Sequence, residues 1–408
     1  VNPDLTESQM DLNFTAEEEA FRREVRAFIR ENLPEATRRH MEQFRVATRD
    51  MIVEWARILH KKGWSTPRWP VEYGGPGWTA VQQYIFIEEC QAAPSPDLLS
   101  FGVNMVGPVI YTFGSAEQKA KYLPRIANMD DWWSQGFSEP SAGSDLASLK
   151  TRAVRDGDEW VINGQKTWTT YGQYGNMIFV LARTNPEAKK QAGISFFLVD
   201  MTLPGVTVRP IQTIDGGVEV NEVFFDDVRI PLDGLVGEEN KGWDYAKFLL
   251  GNERVGIARI GISKGRMRLV KELAEKTLRD GKPVMEHPRF RDRFIQTEIE
   301  LKALEMTALR VLSAEASRGN TGKPDPASSV LKIRGSETQQ KSTELLLDVI
   351  GEDAWPFPHL EVELRQQTPG PEFADTAAAL YFNMRKVSIY GGANEVQKNI
   401  IAKMILGL

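Results

Sequence analysis

Trp160-Val161-Ile162-Asn163-Gly164 reads as a strand running into a turn: aromatic and β-branched residues come first, then an Asn-Gly pair suited to a tight reversal. Similar runs follow it. Met177 to Ala182, Ile194 to Val199, Val206 to Pro210 and Val220 to Phe225 are rich in β-branched and aromatic side chains, with Gly, Pro, Asn and Asp between them. Strands this short, turn after turn, predict a small β-barrel or sandwich over residues 131–240.

Outside that span the apolar residues take helical spacing. Before it, Thr15 and Glu18 form a capping box, and Phe21, Val25, Phe28 and Ile29 fall on one helical face. Further helices read from Thr48 to Lys62 with Gly63 as the stop, from Ala80 to Ala92, and from Ala116 to Ile126. After the β span, helical runs cover Leu269 to Leu278, Arg291 to Ala316 and Ser329 to Val349. Loops are expected at Thr321 to Pro326 and, unusually long, from Asp353 to Asp375. The fold class is therefore α+β in three domains: helices over 1–130, the β domain over 131–240 and a helical domain over 241–408. Clefts between such domains are where ligands settle.

The chain has 408 residues, too many for one compact core. Its 41% hydrophobic and 26% charged residues are ordinary for a soluble protein. A net charge of −6 argues against a nucleic-acid binder, whose phosphate contacts need concentrated Lys and Arg. The single cysteine, Cys90, excludes an internal disulfide and reads as a small buried hydrophobe. No apolar run is long enough to span a bilayer, and the acidic N-terminal stretch has no signal-peptide core, so a cytoplasmic enzyme is the expectation.

Several passages carry chemistry. They are Phe137-Ser138-Glu139-Pro140-Ser141-Ala142-Gly143-Ser144-Asp145, then Ile162-Asn163-Gly164-Gln165-Lys166-Thr167-Trp168-Thr169-Thr170, then Val223-Phe224-Phe225-Asp226-Asp227-Val228-Arg229-Ile230-Pro231. Leu235-Val236-Gly237-Glu238-Glu239-Asn240-Lys241-Gly242-Trp243 and Gly391-Gly392-Ala393-Asn394-Glu395-Val396-Gln397 follow in the same order. Together they resemble the acyl-CoA dehydrogenase family over nearly the whole chain. The resemblance implies a helical N-terminal domain, a middle β domain and a C-terminal four-helix bundle, with FAD between the last two. It implies an acyl-CoA substrate and electron-transfer flavoprotein as the electron acceptor.

A flavin needs hydrogen-bond donors at its ring edge and a flat group against one face. Ser138 and Ser144 flank a Gly/Pro turn rich in backbone N–H groups, and Trp168 and Thr170, two apart on an extended segment, are expected on one face. The resemblance puts flavin contacts at Phe137, Ser138, Ser144, Trp168, Thr170, Gly391, Gly392, Asn394 and Glu395. It puts substrate contacts at Ser144, Asn252, Arg254 and Gly391, and calls for no metal.

Removal of the acidic α-proton needs a base, and donors must hold the thioester oxygen as charge develops there. Many family members carry the base directly after the Tyr of the C-terminal motif, but Gly391 follows Tyr390 here. Other members place it in a Glu-Arg pair on a helix, and this chain has Glu253-Arg254. Glu253 is therefore the candidate base, with Gly391 leaving room for it. Glu238 and Glu239, in a Gly-bounded loop, are expected to be solvated.

The chain departs from the family where the adenine half of FAD would lie. Thr277 and Asp280 replace the usual Arg and Phe, Asp348 replaces a Gln, and Ala393 replaces a Thr. Two accounts stand level: an α2β2 heterotetramer in which a related subunit supplies that half, or a homotetramer in which Arg279 or Arg334 does so. Rival functions are a flavin monooxygenase of the same fold, which needs no base such as Glu253, and a non-catalytic dehydrogenase-like binding protein.

Overall fold

A computed structural model describes residues 14–97, 101–251, 256–318, 326–355 and 373–408. The first helix, α1 (Ala16–Asn32), opens on the expected capping box: Thr15 Oγ1 accepts from the Glu18 N–H at 3.2 Å, and the Glu18 carboxylate accepts from the Thr15 N–H at 2.8 Å. After α2 (Glu35–Glu42), α3 (Arg49–Lys62) stops at Gly63, whose φ of +77° ends the helix in the left-handed region. Then come α4 (Ala80–Ala92), α5 (Gly107–Phe113) and α6 (Ala116–Ala127). Trp55, Leu59, Trp64 and Phe86 form a core between α1, α3 and α4, and Cys90 packs half-buried at its margin.

Among the described residues, seven strands form one sheet: β1 (Trp133–Gly136), β2 (Arg152–Asp156), β3 (Glu159–Thr170), β4 (Met177–Arg183), β5 (Ile194–Asp200), β6 (Val206–Ile211) and β7 (Val220–Pro231). The spatial order is β1-β4-β2-β3-β7-β6, with β5 paired along the length of β4. β3 and β7 run well past the apolar stretches that announce them, because the polar half of β3 pairs with the apolar stretch of β7, and the later half of β7 with the apolar stretch of β3, rather than turning away. β1 and β2 escape the sequence pattern. β1 joins β4 in parallel through Trp133↔Met177, and only Ala153 of β2 is buried.

The C-terminal part is helical: α7 (Gly242–Gly251), α8 (Ile260–Lys276), α9 (Pro288–Arg318), α10 (Ala327–Ile350), α11 (Ala374–Asn383) and α12 (Asn394–Ile401). α8 starts well before Leu269, and its early turns contain Gly261 and Gly265, which blur the apolar period. Gly261 is needed there, since a Cβ would lie 2.4 Å from the Glu88 carbonyl oxygen of α4. Ionic contacts reinforce that seam. Arg22 of α1 reaches Glu88 at 2.7 Å and Glu89 at 2.6 Å, and Lys264 of α8 bonds both Glu88 and Glu305. The loops expected at Thr321 to Pro326 and Asp353 to Asp375 lie mostly outside the described residues. Among the described residues no helix is long and apolar enough to cross a membrane.

Candidate active site

The turn after β1 and the polar half of β3 come together around one ion pair. Glu139 and Ala142 exchange backbone hydrogen bonds of 3.1 and 3.0 Å, closing the Pro140-Ser141 turn. Lys166 Nζ donates to a Glu139 carboxylate oxygen at 2.8 Å and to the Phe137 carbonyl at 3.2 Å. Backbone N–H groups of Lys150 and Thr151 donate to the same carboxylate at 2.6 and 2.9 Å, and the Thr167 N–H donates to the Ser138 carbonyl at 2.9 Å. Burial pushes Glu139 up, but the Lys166 charge and these donors outweigh it and hold the carboxyl below the ordinary range. Burial draws the Lys166 amine down to about 8, opposed by Glu139.

Beyond Lys166, β3 does not alternate simply. The register passes from Lys166↔Val223 to Thr169↔Asn221, a bulge, and Trp168 sits in it with φ +60°. A bulky residue in that conformation is unusual. Its ring is 60% exposed, while Thr167 and Thr169 on either side are buried and Thr170 is half-buried. The bulge, rather than strand alternation, thus sets where Trp168 lies relative to Thr170. Phe137 is committed to the core, its ring edge-on to Phe179 and Phe196, so only its backbone faces the turn. Ser138 is half-buried, and Ser144 is exposed.

Residues 383–386, ahead of the C-terminal motif, approach the end of β3. The Tyr171 N–H donates to the Glu219 carbonyl at 2.7 Å, and the Glu219 carboxylate accepts from Asn383 at 3.2 Å and from Lys386. Residues 383–386 lead into an exposed turn in which Gly391 and Gly392 have φ of +64° and +86°, a conformation that favours glycine. Asn394 is buried at the start of α12, and Glu395 is exposed. Glu238 and Glu239 are exposed, as expected. Asn252, Glu253 and Arg254 lie outside the described residues.

These residues fit the ring end of a flavin. An exposed tryptophan stands in a bulge two residues before the half-buried Thr170. Gln135 Nε2, two residues before Phe137, is a buried donor with no partner among the described residues. Where the sequence expectation puts the adenine half of FAD, the charged groups are engaged with one another. The Asp348 carboxylate is met by Arg293 at 2.9 Å and by Arg279 at 3.2 Å, so Arg279 is engaged inside the subunit, and Arg334 pairs with Glu337 at 2.9 Å on the surface of α10. Sequence reasoning missed Glu139 and Lys166; no local signal marks the pair, which forms between segments 27 residues apart.

The acyl-CoA dehydrogenase N-terminal domain matches residues 15–130, the middle domain 134–228 and the C-terminal domain 240–406. Acyl-CoA dehydrogenase IpdE1 of Mycobacterium tuberculosis is 37% identical over 355 residues, 87% of this chain and 87% of that protein. A solved structure named Tcur3481-Tcur3483 steroid ACAD superposes with a TM-score of 0.84 at 34% identity, over 98% of this chain and 99% of that one. The ChsE4-ChsE5 complex from Mycobacterium tuberculosis superposes with a TM-score of 0.84 at 32% identity, again over 98% and 99%. This chain belongs to the acyl-CoA dehydrogenase family of oxidoreductases.

Proposed function

We propose that this chain is the catalytic subunit of an FAD-dependent acyl-CoA dehydrogenase that desaturates the α,β bond of a bulky acyl-CoA thioester, a steroid side chain being the substrate class. The observation that carries the reading is Gly391. Where many relatives carry a carboxylate, this chain has an exposed glycine at φ +64°, while a Glu-Arg pair stands at Glu253-Arg254.

In this reading Glu253 removes the α-proton, and the Gly391 N–H donates to the thioester oxygen as negative charge develops on it. Bound FAD supplies the acceptor for hydride leaving the β-carbon. Trp168 and Thr170 would hold the flavin ring, with Ser138, Ser144 and the Phe137 backbone as further contacts. Gly392, Asn394 and Glu395 close it from the α12 side. Asn252, Arg254 and Ser144 hold the thioester end of the substrate. Electrons then leave to electron-transfer flavoprotein.

The assembly proposed is α2β2 with a related subunit. Engagement of Arg279 and Arg293 by Asp348 supports it, since neither is left for a pyrophosphate. So does the likeness to a solved complex of two named components. The three domains keep the bounds 1–130, 131–240 and 241–408.

The test is reconstitution. The chain is purified alone and together with a related acyl-CoA dehydrogenase subunit, visible spectra are recorded, and steroid and straight-chain acyl-CoA thioesters are added without oxygen. The reading predicts yellow protein only with the second subunit, and bleaching by the steroid thioester. A colourless co-purified assembly, or a flavin that no thioester bleaches, overturns it.

A further inference from the structure

Lys332 lies on α10 and is 3% exposed. Among the described residues its amine has one hydrogen-bond partner, Asn394 Oδ1 at 2.9 Å, and no carboxylate within ion-pair distance. A buried ammonium held by a neutral amide is costly, and such groups are kept where they do something specific. Burial lowers the amine to about 8, with exposed Glu395 opposing the shift.

The arrangement around it is two-sided. Asn394 Nδ2 donates to Ser336 Oγ at 3.1 Å, so Lys332 and Ser336, one helical turn apart on α10, grip both ends of one amide. Asn394 is the first residue of α12 and follows directly on the Gly391-Gly392-Ala393 turn. α12 has no side-chain N-cap, since Ala393 offers none; the other hold on the turn is Gln397 Nε2, which donates at a long 3.5 Å to the Gly391 and Gly392 carbonyls. At the neighbouring position, Gly335 lets α10 touch residues 256–258, and a Cβ there would lie 2.6 Å from Ala258 Cα and 2.7 Å from its carbonyl oxygen. A single stretch of α10, Lys332 to Ser336, therefore contacts both the residue that follows the glycine turn and the segment that follows Glu253-Arg254 in sequence.

The geometry points to Lys332 as a positioning residue for the dehydrogenation: through Asn394 it fixes the Gly391-Gly392 turn at a set distance from the 256–258 segment. This rests on the reading that the Gly391 N–H holds the thioester oxygen. A misplacement of about 1 Å at such a donor costs about 100-fold in rate.

The experiment uses the assembly in which the chain is active and compares K332M, K332R, N394L and N394D. Methionine matches the lysine stem without its charge, so folding is retained and the thermal midpoint does not fall. K332M and N394L are expected to lose about 100-fold in kcat with KM nearly unchanged. Flavin content should stay at the wild-type level in K332M. N394D, which keeps an acceptor for the amine, and K332R should recover most of the loss. A kcat within about twofold of wild type in K332M overturns the inference, as does a loss that tracks flavin release or a lowered melting midpoint. If wild type itself turns over no acyl-CoA thioester, the proposed function fails, whatever the variants do.

Discussion

Lys166 and Glu139 meet at 2.8 Å in the interior, the lysine fully buried and the glutamate 5% exposed. They bind the turn after β1 to the polar half of β3, which are the two segments proposed to hold the flavin ring. A buried pair of this kind adds little over an apolar pair of the same shape, but removing one member leaves a stranded charge. K166M should therefore lower the unfolding free energy by about 3–5 kcal/mol in denaturant titration. The K166M/E139Q double variant should recover a substantial part of that loss. If the double variant is worse than the sum of the singles, the pair is not acting as a unit.

Acid tests the same pair. Glu139 is held below its ordinary value of 4.5 in the folded chain, so the unfolded chain takes up its proton first as pH falls. The stability this contributes is complete above about 4.5 and is lost as pH drops through the lower folded value. The denaturation midpoint of wild type should fall more steeply than that of E139Q as pH is lowered below Glu139's ordinary value of 4.5. Parallel curves would remove Glu139 from the acid sensitivity.

Gly164 makes a backbone prediction. Its φ is +153°, it borders a register irregularity between β3 and β7, and a Cβ would lie 2.7 Å from Thr151 Cα. G164A should cost about 1–3 kcal/mol by overpacking and by loss of the glycine conformation, read as a lowered melting midpoint. An unchanged midpoint would mean that this crossing of β2 and β3 gives way easily.

Local signals were legible in the sequence; signals made by distant parts of the chain were not. The capping box at Thr15 and Glu18 and the stop at Gly63 involve neighbours, and both are read directly. β1 exists because Trp133 pairs with Met177, and no run of β-formers marks it. The bulge at Trp168 arises from how β3 pairs with β7, so strand alternation could not foresee it. Lys166 and Lys332 carry no local mark of burial, since both are enclosed by elements far away in sequence. The expected docking of helices on a β domain followed from the change of period alone.

Arg22 of α1 is buried against Glu88 and Glu89 of α4, the helix that meets α8 at the seam with the C-terminal helices. R22M would leave that glutamate pair short of a cation, with Arg26 and Lys264 as the remaining partners. The expected cost is about 3–5 kcal/mol by calorimetry or denaturant, with kcat per folded, flavin-loaded enzyme unchanged. A loss of kcat without a loss of stability would show that the seam shapes the substrate pocket instead.

The central claim is that Glu253 is the base, Gly391 having no side chain to serve. The direct measurement is anaerobic stopped-flow bleaching of the flavin by an acyl-CoA thioester in wild type and E253Q, both loaded with equal flavin. The account predicts that E253Q binds the thioester but bleaches about 1,000-fold more slowly. Bleaching at the wild-type rate in E253Q would contradict it and send the search for the base elsewhere in the chain.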